Sequence, residues 1–527
     1  MLLVTAIILT VCYLAAAWFA LRHYIHMFQL NSYKPKVQMQ WIKKNSALWR
    51  EVCLIWFGVF LLIYAIYSPD LGVLGYVLWG AIWVAHIAAT TIPNLPKKSY
   101  KIPLKYTMRI KRLFATLFVI YILPIVAMII TGQVFICAAV YLIMICLAPW
   151  LVLLANYINR PLELAINRWY INDAKKILRS CPDLTVIGIT GSFGKTSVKY
   201  FLDELLSVKY NVLKTPGNFN TPLGVVKTIR GDLRATHEIF LCEMGAKNVG
   251  DIKEICDIVH PKHGIITSVG PMHLESFGNL DNVKKTKFEL ADALPDGGML
   301  WLNMDDENVR ECSSGRTFIG YGVDSREGYY IEDLSVSSDG SEFEVVAPSG
   351  ERCRYKTKLI GRHNAINICG AIAAANSLGI PLSDLKSAVR RLDSVPHRLE
   401  LKKNGDITII DDAYNSNPSG AKAALKTLSM MDGYRILCTP GMIELGEMED
   451  ELNREFGRQA AGACDFAALV GKKQTAAIYD GLKSAGFPEE KIFVADSLNE
   501  AMQKIYSLTT DGKRKIILLE NDLPDNY

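Results

Sequence analysis

The run Gly191-Ser-Phe-Gly-Lys-Thr-Ser197 combines residue types that together can hold phosphate. It follows a short β-branched stretch, Thr185–Thr190 (TVIGIT), and precedes a helical pattern over about 195–207. A strand, a glycine-rich turn ending in Lys-Thr and a helix predict a phosphate-binding loop. Its glycines let backbone N–H groups approach phosphate oxygens, and the helix N-terminus adds positive potential. Lys195 would reach the β- and γ-phosphates, and the Thr196 hydroxyl can bind Mg²⁺. Gly188 lies six residues before Gly194, one more than the common G-x-x-x-x-G-K-[ST] form. Glu243 closes a predicted strand within 237–244, where a carboxylate can hold Mg²⁺ beside the phosphates. The plain alternative is a solvated acid at a strand end.

The segments 237–244, 263–269, 297–303 and 316–322 read as buried strands separated by helical patterns, which predicts a parallel, doubly wound sheet. Residues 328–359 read as a β-rich meander before a helix starting at Asn364. A second block starts near 397, with a strand ending in Asp411-Asp412 and a helix from about 418. Strands at 435–441, 466–471, 491–495 and 515–520 alternate with helices and predict a smaller Rossmann-like domain.

The N-terminal portion has a different character. Residues 1–158 hold 13 Lys+Arg against two acids, Glu51 and Asp70. The remainder holds the other 45 of 58 basic and 51 of 53 acidic residues, so a basic apolar portion precedes a mildly acidic one. Five stretches, about 2–21, 51–68, 71–93, 113–131 and 134–157, are apolar over lengths near the roughly 20 residues a spanning helix needs. Two loops carry all the positive charge: Arg22, Lys34, Lys36, Lys43, Lys44 and Arg50 in one, and Lys97, Lys98, Lys101, Lys105, Arg109, Lys111 and Arg112 in the other. Both belong in the cytoplasm, together with everything after residue 158. No acid or base is counted near the middle of a span, which argues against an ion pathway. His23–Trp41, with Tyr33, Lys34 and Pro35, reads as an interfacial anchor or as a contact for a lipid-linked head group. Residues 159–183 read as an amphipathic linker helix ended by Cys181-Pro182. The placement of the basic residues between hydrophobic spans argues against nucleic-acid binding driven by overall charge. Twelve cysteines without a CxxC pair predict neither a disulfide framework nor a zinc ribbon.

Over about 184–480 the chain resembles the Mur ligases, ATP-dependent amide-bond ligases of peptidoglycan precursor synthesis whose relatives include folylpolyglutamate synthase. T-G-S-F-G-K-T-S (190–197) is similar to the family's phosphate loop, including the glycine spacing. The resemblance assigns Thr190, Gly191, Ser192, Gly194, Lys195, Thr196 and Ser197 to ATP. T-P-G-N-F-N-T-P-L-G (215–224) looks like the segment after the next strand, and E-M-G-A (243–246) carries the Mg²⁺ glutamate. S-V-G-P-M-H-L-E (268–275) implies that His273 helps hold a second Mg²⁺. K-T-K-F-E-L (285–290) makes Lys287 the candidate for the family's carbamylated lysine, an anion able to ligate Mg²⁺. G-R-H-N-A-I-N (361–367) implies Asn364 beside the adenine, and P-H-R-L-E (396–400) implies Arg398 at the γ-phosphate. D-D-A-Y-N-S-N-P (411–418), with Asp412, looks like the C-terminal domain's ATP and substrate signature.

The apolar spans predict an α-helical membrane domain (1–158) and the amphipathic pattern the linker (159–183), while the resemblance implies a P-loop-containing Mur ligase central domain (184–396) and a Rossmann-like C-terminal domain (397–527). T-P-G-N-F-N, E-M-G-A, G-P-M-H-L-E-S-F-G and M-I-E-L-G (442–446) most resemble the branch that adds D-alanyl-D-alanine. The chain departs from that branch where membrane spans replace the domain that holds the UDP-sugar, and at its C-terminal ending. The implied reaction joins an amine to a substrate carboxylate through an acyl phosphate. Lys195, His273, Lys287 and Arg398 are its catalytic candidates, and Thr196, Glu243, His273 and Lys287 its ligands for two Mg²⁺ ions. The implied partners are a UDP-linked or lipid-linked cell-envelope precursor and an amino acid or dipeptide, at a bacterial plasma membrane with the catalytic domains in the cytoplasm. A polyglutamate-type synthase of the same family is the alternative enzyme, and an ATP-gated transporter the alternative from another class.

Overall fold

The computed structural model describes residues 2–44, 47–67, 72–95, 102–337, 340–413, 417–443, 445–510 and 512–522. Lys97, Lys98, Lys101, Asp70, Tyr414–Ser416, Glu444 and the last five residues of the sequence-read ending therefore lie outside the described residues. The chain forms two compact units, one within residues 1–168 and one spanning 169–522.

The first unit is helical. Helices span Leu2–Leu30, Pro35–Lys44, Ala47–Tyr67, Gly72–Thr91, Met108–Thr131 and Val134–Cys146, followed by the start of Ala148–Arg179. Among the described residues, two helices are long and apolar enough to cross a membrane, Leu3–Leu30 and Met108–Thr131. The bent pair Val134–Cys146 and Ala148–Arg179 would make a third if it counts as one span. The span expected over 134–157 is bent, since the two helices meet at 75°. Pro149 is the second residue of the later helix and has no N–H for the carbonyl of residue 145, so the first helix stops and a new one starts. The later helix then runs unbroken to Arg179, with no boundary at the expected linker start. Its core includes Tyr13, stacked on Tyr141 with ring centroids 4.1 Å apart, and the buried Tyr24 and Phe28. The unit also buries ionisable groups that a count of apolar spans passes over. His86 Nε2 lies 3.4 Å from Cys146 Sγ, and buried Glu51 accepts from Tyr24 at 3.0 Å and pairs with Arg50 at 2.5 Å.

The second unit contains two sheets. The first comprises β1 (Thr185–Thr190), β2 (Val212–Lys214), β3 (Ile239–Glu243), β4 (His263–Ile266), β5 (Leu300–Asn303), β6 (Ile319–Gly322), β7 (Tyr329–Ser337), β8 (Gly340–Val346) and β9 (Arg352–Thr357), in the order β2-β3-β1-β4-β5-β6-β7-β8-β9. Pairing is parallel as far as β7 and antiparallel in the β7–β8–β9 meander. Strand alternation sends Ile187 and Ile189 into one core, with helices Lys195–Leu206 and Arg362–Ser377, while Val186 joins Ile255, Phe288 and Leu290 in the other. Both faces are thus covered, as a doubly wound sheet requires.

Gly188 is part of this packing and not of the phosphate loop. It lies inside β1, and a Cβ there would come within 2.5 Å of Leu290. Its bareness lets the helix Leu280–Asp292, which carries Lys287, approach the strand that feeds the loop.

The second sheet comprises β10 (Glu400–Asn404), β11 (Ile407–Asp412), β12 (Tyr434–Thr439), β13 (Phe466–Val470), β14 (Ile492–Ala495) and β15 (Lys515–Glu520), in the order β10-β11-β15-β12-β13-β14. Only β10 runs antiparallel to its neighbour. Asn417 caps the helix Pro418–Ser429 through its side-chain oxygen, which accepts from the Gly420 N–H at 3.0 Å.

Candidate active site

Parallel pairing of β3, β1 and β4 places three loops at the same carboxyl edge, where open α/β sheets take ligands. The loop after β1 turns on two glycines with positive φ, Gly191 (151°) and Gly194 (82°). A Cβ on Gly191 would lie 2.1 Å from Thr267 Oγ1, and one on Gly194 would lie 2.8 Å from Asn367 Oδ1. Only glycine leaves room for both approaches. The loop is tied to the β4 edge: the Ser192 N–H donates to the Ser268 carbonyl (2.8 Å), and the Phe193 N–H donates to Ser268 Oγ (2.9 Å). The Gly270 N–H donates to Ser192 Oγ (2.9 Å), and the Thr267 hydroxyl donates to the Phe193 carbonyl. Thr190 donates to the Met244 carbonyl (3.0 Å), which joins β1 to the end of β3. Ser197 is buried in the first turn of the following helix.

Lys195 folds back over the loop and donates to the Gly191 and Ser192 carbonyls at 2.6 and 3.1 Å. Burial pulls its pKa down to about 8, with Glu243 opposing and Arg398 adding to the fall. Thr196 Oγ1 lies 3.1 Å from Glu243 Oε1, the pair expected for Mg²⁺. The structure adds residues that motif reading passed over. Lys199, fully buried, pairs with Glu243 Oε2 at 2.8 Å and donates to the Gly217 carbonyl at 2.7 Å. Asn220 donates to Glu243 Oε1 at 3.1 Å, and the Glu243 N–H donates to Thr215 Oγ1 at 3.2 Å. The segment 215–220 therefore acts as a clamp on the glutamate. Burial works to raise the Glu243 carboxyl, but Lys199 and Lys195 outweigh it and hold it below its ordinary value.

Lys287 is 1% exposed. Burial and the nearby Lys195 charge hold its ammonium well below its ordinary pKa, against weaker support from Asp251 and Glu289. Among the described residues it has no ion pair. Arg398 comes from the entry to the second sheet, and its charge acts on both Lys195 and Lys199. The same region closes further where a Cβ on Gly270 would lie 3.6 Å from Ser419 Oγ. Asp412 accepts from the Leu399 N–H at 3.2 Å, and burial raises its pKa to about 6. His273 has φ 51° and starts the short helix Leu274–Phe277, on the loop that follows β4. Asn364 is buried and donates to the Ile360 carbonyl (2.9 Å), whereas its neighbour Asn367 is the one that meets the loop at Gly194.

A second polar cluster lies nearby. His397, Glu400 and Asp411 place potential ligand atoms within 4.8 Å of one another. Lys402 already answers them, with Nζ at 2.5 Å from Asp411 and 3.2 Å from Glu400.

A phosphate loop on a doubly wound sheet, with a clamped metal-type glutamate and a second α/β domain bringing an arginine towards it, defines a P-loop nucleotide-binding protein of two α/β domains. The sequence matches the Mur ligase middle domain over residues 189–375 and the Mur ligase, glutamate ligase domain over 397–519, and the chain belongs to the Mur ligase family. It is 32% identical over 275 residues to the UDP-N-acetylmuramoyl-tripeptide–D-alanyl-D-alanine ligase of Bacillus subtilis (strain 168), covering 52% of this chain and 59% of the relative. The enzyme of the same name from Escherichia coli (strain K12) is 29% identical over 384 residues, 69% of this chain and 84% of the relative. The chain thus spans about three fifths of the Bacillus relative's length. The fold matches MurF from Acinetobacter baumannii with a TM-score of 0.62 at 24% identity, over 68% of this chain and 78% of that one. It matches a MurF ligase from Thermotoga maritima, solved with ADP, with a TM-score of 0.60 at 24% identity, over 68% and 80%.

Proposed function

We propose that this protein is a membrane-anchored, ATP-dependent amide-bond ligase that adds D-alanyl-D-alanine, or an amino acid, to a carboxylate of a cell-envelope precursor. The observation that carries the reading is the charge balance at the loop. Lys195 and Lys199 act on Glu243, Arg398 acts on both lysines and Lys195 acts on Lys287, so positive charge gathers at the loop where the negative charge of a triphosphate would bind. The names of the Bacillus and Escherichia relatives support D-alanyl-D-alanine as the amine.

In the proposed reaction a substrate carboxylate oxygen attacks the ATP γ-phosphorus and ADP leaves. The amine then attacks the acyl carbon, phosphate leaves, and the nitrogen loses a proton. Lys195 and the backbone N–H groups of the loop would spread the phosphoryl charge, an electrostatic role that needs no covalent bond to the protein. Arg398 would complete the site from the second domain and help to keep water from the acyl phosphate.

The residues fit Mg²⁺: Thr196 Oγ1 and Glu243 Oε1 lie 3.1 Å apart, near the roughly 2.9 Å between adjacent oxygens of an octahedron with bonds of about 2.05 Å. There the ion would neutralise phosphate charge, with His273 proposed for a second ion. Lys287 fits carbamylation, since a buried amine held below its ordinary pKa is the nucleophilic form and the resulting anion would answer Lys195. Asn364 and Asp412 remain the proposed contacts for the nucleotide base and for the closing domain.

The test is phosphate release from Mg-ATP by the detergent-purified protein, with D-alanyl-D-alanine or single amino acids. The acceptor would be UDP-linked muramyl tripeptide or its lipid-linked form. Turnover with D-alanyl-D-alanine and either acceptor supports the reading. Growth of a homopolymer on free glutamate would replace it with a polyglutamate-type synthase, and silence on both precursors would remove the peptidoglycan assignment.

A further inference from the structure

Among its described residues, the helical unit contains a cation with no ion pair of its own. Acids are scarce there, and the described ones are already engaged. Arg112 grips Glu163 through two contacts of 2.7 and 2.9 Å, and Arg50 pairs with Glu51. The Glu163 charge also acts on Arg109, but that carboxylate is held by Arg112, and the direct contacts of Arg109 are neutral: it donates to Asn156 Oδ1 at 3.2 Å, and its guanidinium lies 4.0 Å from the centroid of the Tyr33 ring. Its Nε is buried without a hydrogen-bond partner. Further along the same seam, Thr116 fixes Asn159 by donating to its Oδ1 at 3.0 Å. The Asn159 amide nitrogen is likewise buried without a partner.

Both unanswered atoms are donors, and one belongs to a permanent cation, so the missing group is an acceptor with negative charge. The level of the site says where that group comes from. Arg109 is the second residue of the 24-residue apolar helix Met108–Thr131, the depth at which a spanning helix meets lipid phosphates. Exposed Lys34, Lys36 and Lys105 add a positive field on the same stretches.

The aromatic side is preset. Ser32 and Tyr33 have positive φ values of 54° and 57°, a costly conformation for two successive non-glycine residues. It is held by the Tyr33 N–H on the Phe28 carbonyl (2.9 Å) and by Gln29 donating to the Tyr33 hydroxyl (3.1 Å). The ring therefore supports one face of the guanidinium and leaves its edge for hydrogen bonding.

We infer that the helical unit binds the phosphate of an anionic lipid at Arg109, on the seam where Asn156 and Asn159 face the helix Met108–Thr131. The inference rests on reading this unit as membrane-inserted and is independent of the ligase chemistry. The test is native mass spectrometry of the full chain released from neutral detergent micelles, titrated with short-chain phosphatidic acid, phosphatidylcholine or inorganic phosphate. Expected is one phosphatidic acid per chain, bound at least tenfold more tightly than phosphatidylcholine. Arg109→Gln should lose tenfold or more of that affinity, Arg109→Lys should recover part of it, and Lys111→Gln should stay within twofold of the wild type. Thermal melting of each variant separates lost binding from lost folding. Equal retention of the two lipids, or an Arg109→Gln variant that binds like the wild type while melting normally, overturns the site. Inorganic phosphate binding as tightly as the lipid overturns the lipid assignment in favour of a free-anion site.

Discussion

The loop site and the Lys402 cluster are both polar constellations of the second unit, and their charge balance differs. At the loop, Lys195 and Lys199 act on Glu243 with Lys287 and Arg398 beside them, and all three lysines are held below their ordinary pKa values. At the cluster, Glu400 and Asp411 share one lysine and one histidine, and Asp411 is held low mainly by Lys402 and His397 against burial. The first arrangement gathers more positive than negative charge on Glu243, as the proposed triphosphate would require, whereas in the second each carboxylate meets a cation within the cluster. Unbalanced charge in a rigid scaffold marks a ligand site better than the presence of ligand-type residues does.

The largest effect should come from breaking the buried pair inside the loop site. Glu243→Gln leaves Lys199 buried and unpaired, as Lys199→Met does to Glu243, and each should cost about 3–5 kcal/mol of stability. The double variant should recover most of that loss, because it buries no lone charge. Denaturant unfolding of the three proteins measures it; strictly additive losses would mean that the pair is not coupled.

Next comes Lys195→Met, which should lower turnover by about 10²–10³-fold through loss of a donor that acts on developing phosphoryl charge. The fold should survive, since the change removes a charge that burial already disfavours. A variant that keeps wild-type turnover would end the comparison at its stronger side.

A smaller effect tests the closing domain. The Asp412 pKa of about 6 lies above its ordinary 3.8, so the folded state retains a proton that the unfolded state releases between those values. The penalty grows as pH rises through this window and is complete above about 6. Asp412→Asn should therefore raise the melting temperature at pH 7.5, by up to the shift that about 3 kcal/mol gives for a raise of roughly two pKa units, and leave it unchanged below pH 3.8. The same variant should lose turnover if Asp412 serves the closed site, and a stability gain without any loss of activity would remove Asp412 from it.

Much of this was legible from residue types, for physical reasons. The Gly191–Ser197 loop and Glu243 follow from glycine spacing and strand ends, because a backbone that must approach phosphate tolerates few alternatives. Lys199 was not legible, since a lysine four residues after Lys195 carries no mark of facing Glu243 until the helix packs on β3. Asn367 was missed in the same way: only the 2.8 Å approach to a Cβ on Gly194 reveals it, while Asn364 carries the family pattern. Gly188 was counted with the loop although its bareness accommodates Leu290, a contact between elements about 100 residues apart. In the helical unit, hydropathy found apolar stretches but not the break before Pro149, because a window average blurs a single missing N–H.

The smallest expected effect lies on the balanced side. Lys402 is nearly half exposed, so its pairs with Asp411 and Glu400 are screened by solvent. Lys402→Met should lower stability by less than about 1 kcal/mol and leave turnover within twofold. It also removes the cation that answers the His397, Glu400 and Asp411 atoms, so the variant, unlike the wild type, should gain melting temperature when Zn²⁺ is added. A zinc response already present in the wild type, or a tenfold loss of activity in the variant, would place the cluster among the working parts of the site. Charge balance would then no longer separate the two constellations.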